Sequence, residues 1–106
     1  PTPHPEAPKT RTRETKRAEA EARQRKSREA APLRARLRET EAEIALLETR
    51  VRRLADELAN PDLYRDGGRA REVARERKGL EEQVACLYGK WEELAMRLEA
   101  AAREPR

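Results

Sequence analysis

Two runs of apolar residues at alternating three- and four-residue spacing decide what this chain can fold into. The first is Leu33, Leu37, Thr40, Ile44, Leu47, Val51, Leu54 and Leu58. The second is Ala70, Val73, Arg77, Leu80, Val84, Leu87, Trp91, Leu94 and Leu98. Each is a heptad seam, an apolar stripe along one face of a helix, and each needs a second stripe to cover it. Only Thr40 and Arg77 are off type. A chain of 106 residues, 43% charged and without Phe, cannot fill a broad globular core. A stripe packed on a stripe asks for far less, and heavy use of Ala, Glu, Leu and Arg suits long helices.

The residues between the seams say how the stripes meet. Pro61 disfavours helix at Asn60, so the first helix should stop there. Asp66-Gly67-Gly68 is a turn signal in which glycine supplies backbone freedom and Asp66 can cap the second helix. Seams joined by so short a link bury each other only by folding back. The expected fold is all-α, a monomeric two-helix antiparallel coiled-coil hairpin over 32–101, with helix 32–60, turn 61–69 and helix 70–101. Residues 102–106 read as a disordered tail. A turn centred near Tyr64 sets Leu58 against Val73, Val51 against Leu80, Leu47 against Val84, Ile44 against Leu87 and Leu37 against Leu94. It also sets small Thr40 opposite large Trp91, as packing at constant volume requires. Leu54 completes the core, and Pro61, Leu63, Tyr64, Gly67 and Gly68 make the turn. Leu63 and Tyr64 are expected to plug its end against Leu58 and Val73.

Flanking charges support this register less well. Glu43 would meet Lys90, yet Glu48 would face Glu81 and Glu57 would face Glu76. Exposed pairs contribute about 0–1 kcal/mol, against about 1.5–3 kcal/mol for a buried Leu, so packing should decide. A slip of one heptad stays open.

Upstream, residues 1–10 hold four prolines and no apolar pattern, and read as a disordered linker. Residues 11–31 form a basic arm, partly helical or disordered, rich in helix formers but with almost nothing large to bury. Pro32 is either the first residue of the main helix or a kink in a continuous one. From Lys9 to Arg38 stand twelve Lys or Arg against four Glu, about +8, whereas the tract from Glu39 onward is about −3. The positive charge is therefore gathered at one end. Its densest run is Arg23, Arg25, Lys26, Arg28, Arg34, Arg36 and Arg38, a set suited to neutralising phosphates without reading bases. No aromatic interleaves with it, so stacking on single strands is not expected there. Arg50, Arg52 and Arg53 form a second group, read as surface solubility, and Arg77 is expected to snorkel off the seam.

Catalytic chemistry finds no footing. None of the four glycines leads into Lys-Ser or Lys-Thr, so no phosphate loop is present. His4 and Cys86 are single residues without ligand spacing, a tail histidine and a small helix-face residue. The carboxylates are those of solvated helix faces. No run of about 18 apolar residues could span a membrane, and nothing resembles a secretion signal. The lone Cys86 makes no internal disulfide, which fits a reducing cytosol. With Pro1 first and Met96 the sole methionine, the chain reads as a piece of a longer protein.

The string LANPDLYRDGGRAREVARERKGLEEQ, followed by KWEELAMRLE, resembles the C-terminal domain of ABC-F ATPases, especially the Uup type. The earlier APLRARLRETEAEIALLETRVRRLADEL is similar to the first helix of that domain. The resemblance covers roughly Ala30 to Ala100, and its most specific part is the Asn60-to-Tyr64 turn at this distance from Trp91-Glu92-Glu93-Leu94. Gly67-Gly68 at the hinge and the Arg- and Pro-rich arm depart from the family's pattern. The resemblance implies a domain appended to tandem nucleotide-binding cassettes in a cytoplasmic protein. ATP and Mg belong to that parent, and no cofactor or catalytic residue belongs to this segment. It also implies contact with nucleic acid, DNA above all, with ribosomal RNA or a docked protein as the alternatives.

Overall fold

The computed structural model describes residues 8–103, and residues 1–7 and 104–106, with most of the expected linker and tail, lie outside it. Helix α1 runs Pro8–Leu58, a single-turn 3-10 segment spans Pro61–Arg65, and helix α2 runs Gly67–Arg103. The described residues contain no strand. The molecule is a rod of 97 × 17 × 17 Å, the width of two helices side by side.

Several boundaries differ from the expected ones. α1 starts at Pro8, not 32, and passes through Pro32 without a break. The basic arm and the first seam are thus one helix. α2 starts at Gly67, three residues early, and reaches Arg103.

The buried side chains are Ile44, Leu54, Ala70, Val73, Leu87 and Leu94 on the two seams, and Ala30, which extends the first seam by one position. Val73 is the most enclosed, 1% exposed. Leu33, Leu37, Leu47, Val51, Leu58, Leu80, Val84, Trp91 and Leu98 are half-buried, as expected where two helices must serve as each other's whole interior. Contacts beside the seams fix the register. On one flank Arg50 pairs with Glu76 at 2.5 Å and Arg69 with Glu57 at 3.6 Å. On the other, the Tyr88 hydroxyl donates to Glu48 and Trp91 Nε1 donates to Glu41, each at 2.9 Å. All four are neighbours only when Val51 lies across from Leu80 and Ile44 across from Leu87. Sliding α2 by a heptad in either direction separates one flank or the other.

The expected clashes between carboxylates do not arise. A flanking residue sits between two residues of the opposite helix, one heptad apart, and charge selects between them. Glu57 takes Arg69 rather than Glu76, and Glu76 takes Arg50. Glu48 and Glu81 do line one groove, but Glu48 accepts from Tyr88 and Glu81 pairs with Arg77. Glu43 and Lys90 line a common groove without forming the expected ion pair.

The turn is built differently from its sequence signal. Asn60 is extended (φ −84°, ψ 117°), as a residue before proline must be, and its side chain accepts from the Asp62 N–H at 3.0 Å. Among the described residues no glycine has positive φ. Gly67 and Gly68 simply open α2, and Asp66 caps it by accepting from Gly68 N and Arg69 N at 3.1 and 3.3 Å. Leu63 is half-buried, but Tyr64 is 56% exposed and is no apolar plug. Its hydroxyl donates to the Leu58 carbonyl at 2.6 Å, satisfying one of the free acceptors at the end of α1.

Candidate nucleic-acid interface

In this register Arg103, the last described residue of α2, lies level with Arg28 of α1. The part of α1 before Arg28 projects past it for about 30 Å, at 1.5 Å per residue. The seven predicted basic residues therefore divide into two environments. Arg23, Arg25, Lys26 and Arg28 sit on or at the base of the projecting helix. Arg34, Arg36 and Arg38 lie alongside α2, at the height of Glu92, Glu93 and Glu99. Arg36 shares a surface groove with Glu39, Glu43 and Glu93. The field around the first four is the less compensated.

Six of the seven are exposed, and Lys26, in line with the seam, is half-buried. None of them forms an ion pair, although six ion pairs occur elsewhere among the described residues. At 100° per residue their side chains leave the helix in many directions rather than along one face. A helix charged all round can meet phosphates from several sides, and its grip does not depend on one orientation. The side chains of Lys9 and Arg11, counted with the arm's charge, lie outside those described.

The second basic group, read as surface solubility, is partly engaged in holding the hairpin together. Arg50 is held by Glu76, and Arg52 donates to the Thr49 hydroxyl at 3.3 Å. Arg53 borders a groove with Leu46 and Leu54. Arg77, on the seam, turns its Nε toward Glu81 at 3.6 Å, too long for a hydrogen bond, and leaves that buried N–H without an acceptor. This is a stability cost of the off-type seam position, and it lies far from the arm.

Sequence reasoning passed over Tyr88 and Glu41. Both flank the seams one position away from residues assigned to the core, and their hydrogen bonds to Glu48 and Trp91 tie the helices together. The hydrogen bond to Glu48 raises the Tyr88 hydroxyl above its ordinary value of 10.0, with smaller contributions from partial desolvation and the Glu48 charge. Among the described residues no group of His, Cys, Asp and Glu is placed to hold a metal ion. No helix there is long and apolar enough to cross a membrane.

A family model described as the ABC transporter C-terminal domain matches residues 28–96, which take in the first seam, the turn and the second seam as far as Leu94. No curated protein and no solved structure matched the chain. The family match starts where the projecting helix meets the hairpin, so most of the arm lies outside it.

Proposed function

Because the chain belongs to the ABC transporter C-terminal domain family, and is thus a C-terminal accessory domain of an ABC ATPase of the ABC-F type, we propose that it binds nucleic acid, duplex DNA foremost. It does so without catalysis of its own. In this reading the parent is a cytoplasmic, Uup-type protein whose ATP and Mg sit in separate cassettes. The observation that carries the proposal is the projecting start of α1, with Arg23, Arg25, Lys26 and Arg28 uncompensated by any ion pair. Phosphates are the ligands such a surface suits, and the hairpin serves as a stiff lever that carries it.

Four or five phosphate contacts by the arm alone predict a log–log salt slope of roughly −4 on a short duplex. The test is fluorescence anisotropy with labelled duplex DNA and ribosomal RNA, comparing the chain with a version lacking residues 1–31. Salt-sensitive binding that drops on truncation supports the arm as the interface, and a slope near zero sinks the electrostatic mechanism. The rival reading is a lever docking on a ribosomal component or on the parent's own cassettes. It predicts that charge reversal at Arg25, Lys26 and Arg28 leaves binding unchanged.

A further inference from the structure

The outer face of α2 near the turn carries a third basic group that neither seam nor salt bridge uses. Arg71, Arg75 and Lys78 succeed one another at spacings of four and three, which stacks them on one face over about 10 Å. They point away from α1, because Ala70, Val73 and Arg77 hold the seam. All three are exposed, and none forms an ion pair or side-chain hydrogen bond among the described residues.

Their freedom has a local cause. The nearest carboxylates are directed elsewhere: Glu72 pairs with Arg69 at 3.7 Å and Glu81 with Arg77 at 3.6 Å. Only Glu82, one turn beyond Lys78, stands on the same face, and it makes no ion pair with it. The positive end of the α2 dipole adds to the field at Arg71, less what the Asp66 cap offsets.

We propose that Arg71, Arg75 and Lys78 form a second phosphate-contacting surface, so that the rod grips one DNA duplex at two points, the arm and the turn end. This rests on the nucleic-acid reading of the arm. In the hairpin's register Arg75 lies level with Asp56, about 46 Å from Arg25 along the rod. At 3.4 Å per base pair that distance spans about 14 base pairs. Glu82, Glu92 and Glu99 on the intervening outer face of α2 repel phosphates, so on that helix contact favours the turn end.

The test uses the full chain and labelled duplexes of about 10 and about 24 base pairs. Only the longer one reaches both surfaces at that spacing. The triple variant Arg71→Ala, Arg75→Ala, Lys78→Ala is expected to bind the long duplex about 5–20-fold more weakly, with a salt slope shallower by about 2–3. On the short duplex its loss stays at roughly twofold or less, because the arm alone holds it. Arg71→Lys with Arg75→Lys keeps both charges and should keep long-duplex affinity, which separates charge from altered folding. Wild-type affinity of the triple variant on the long duplex overturns the second surface, as does an equal loss on both lengths. If the arm variant Arg23→Ala, Arg25→Ala, Lys26→Ala, Arg28→Ala abolishes binding while the triple variant is unaffected, only this inference falls. If the unaltered chain binds neither duplex, the nucleic-acid reading falls and takes this one with it.

Discussion

The Tyr88 hydroxyl of α2 donates to Glu48 Oε2 of α1 at 2.9 Å, joining the helices beside the seam. A carboxylate next to a phenol favours the neutral, donating form, and the hydroxyl titrates above 10.0 as a result. The bond is intact below the unfolded value and is lost as pH rises through the higher folded one. Stability should therefore fall once pH passes about 10. Thermal melts of the chain and of Tyr88→Phe between pH 8 and 11 check this. The difference between them should shrink with rising pH, and a constant difference would count against the bond.

The expected register sets Trp91 opposite Thr40, and its indole N–H donates to the neighbouring Glu41. Trp91→Ala removes the largest side chain of α2 from a half-buried site and should cost about 2–4 kcal/mol. Trp91→Phe keeps most of the volume, loses one hydrogen bond, and should cost about 1 kcal/mol. If Thr40 and Trp91 share one space, Thr40→Leu should recover part of the Trp91→Ala loss. Urea denaturation of the wild type, Trp91→Ala, Thr40→Leu and their double variant gives the coupling, and strict additivity would place the two side chains apart.

What the sequence made legible was the seam, because heptad spacing survives any choice among flanking residues. The pairing of Ile44 with Leu87 and Val51 with Leu80 came from counting back from the turn. The flanks were not legible. Glu57 lies between Arg69 and Glu76, and only the folded geometry shows which it takes. Asp66-Gly67-Gly68 was legible in part. Asp66 caps α2 as its position suggested, but Asn60, Pro61 and that cap complete the reversal without the backbone freedom of the glycines. The basic arm was legible as charge but not as helix. Its separation from Arg34, Arg36 and Arg38 depends on where α2 ends, which composition does not state.

The glycines of α2 give a stabilisation test. A Cβ at Gly79 or Gly89 meets nothing within 4 Å, and one at Gly68 only touches Asp66 Oδ1 at 3.5 Å. None of them has a φ that excludes other residues. Gly79→Ala and Gly89→Ala, both inside the helix, should each stabilise by about 0.5–1 kcal/mol. Gly67→Ala and Gly68→Ala, in the first turn, should give only a few tenths of a kcal/mol. The double variant at positions 79 and 89 should melt several degrees higher. An unchanged or lower melting temperature would point to a close partner of that face.

Pro32 sits inside α1 where the projecting arm joins the hairpin. It has no N–H to give the Arg28 carbonyl, and its ring crowds that same carbonyl, which weakens the helix just where α2 stops supporting it. Helix before Ala30, the last buried residue on that side, has almost no seam to hold it and relies mainly on propensity. Pro32→Ala restores the bond and should gain up to about 3 kcal/mol of local helix stability. The gain should appear as higher helical ellipticity and slower amide exchange over residues 20–31, with little change in the main melting transition. If the arm must bend at Pro32 to track a duplex, the same variant should bind DNA more weakly despite its firmer helix. If the arm grips as a straight rod, pre-forming it removes an ordering cost and binding should tighten. Measuring exchange and affinity on one preparation distinguishes a hinge at Pro32 from a mere weak point.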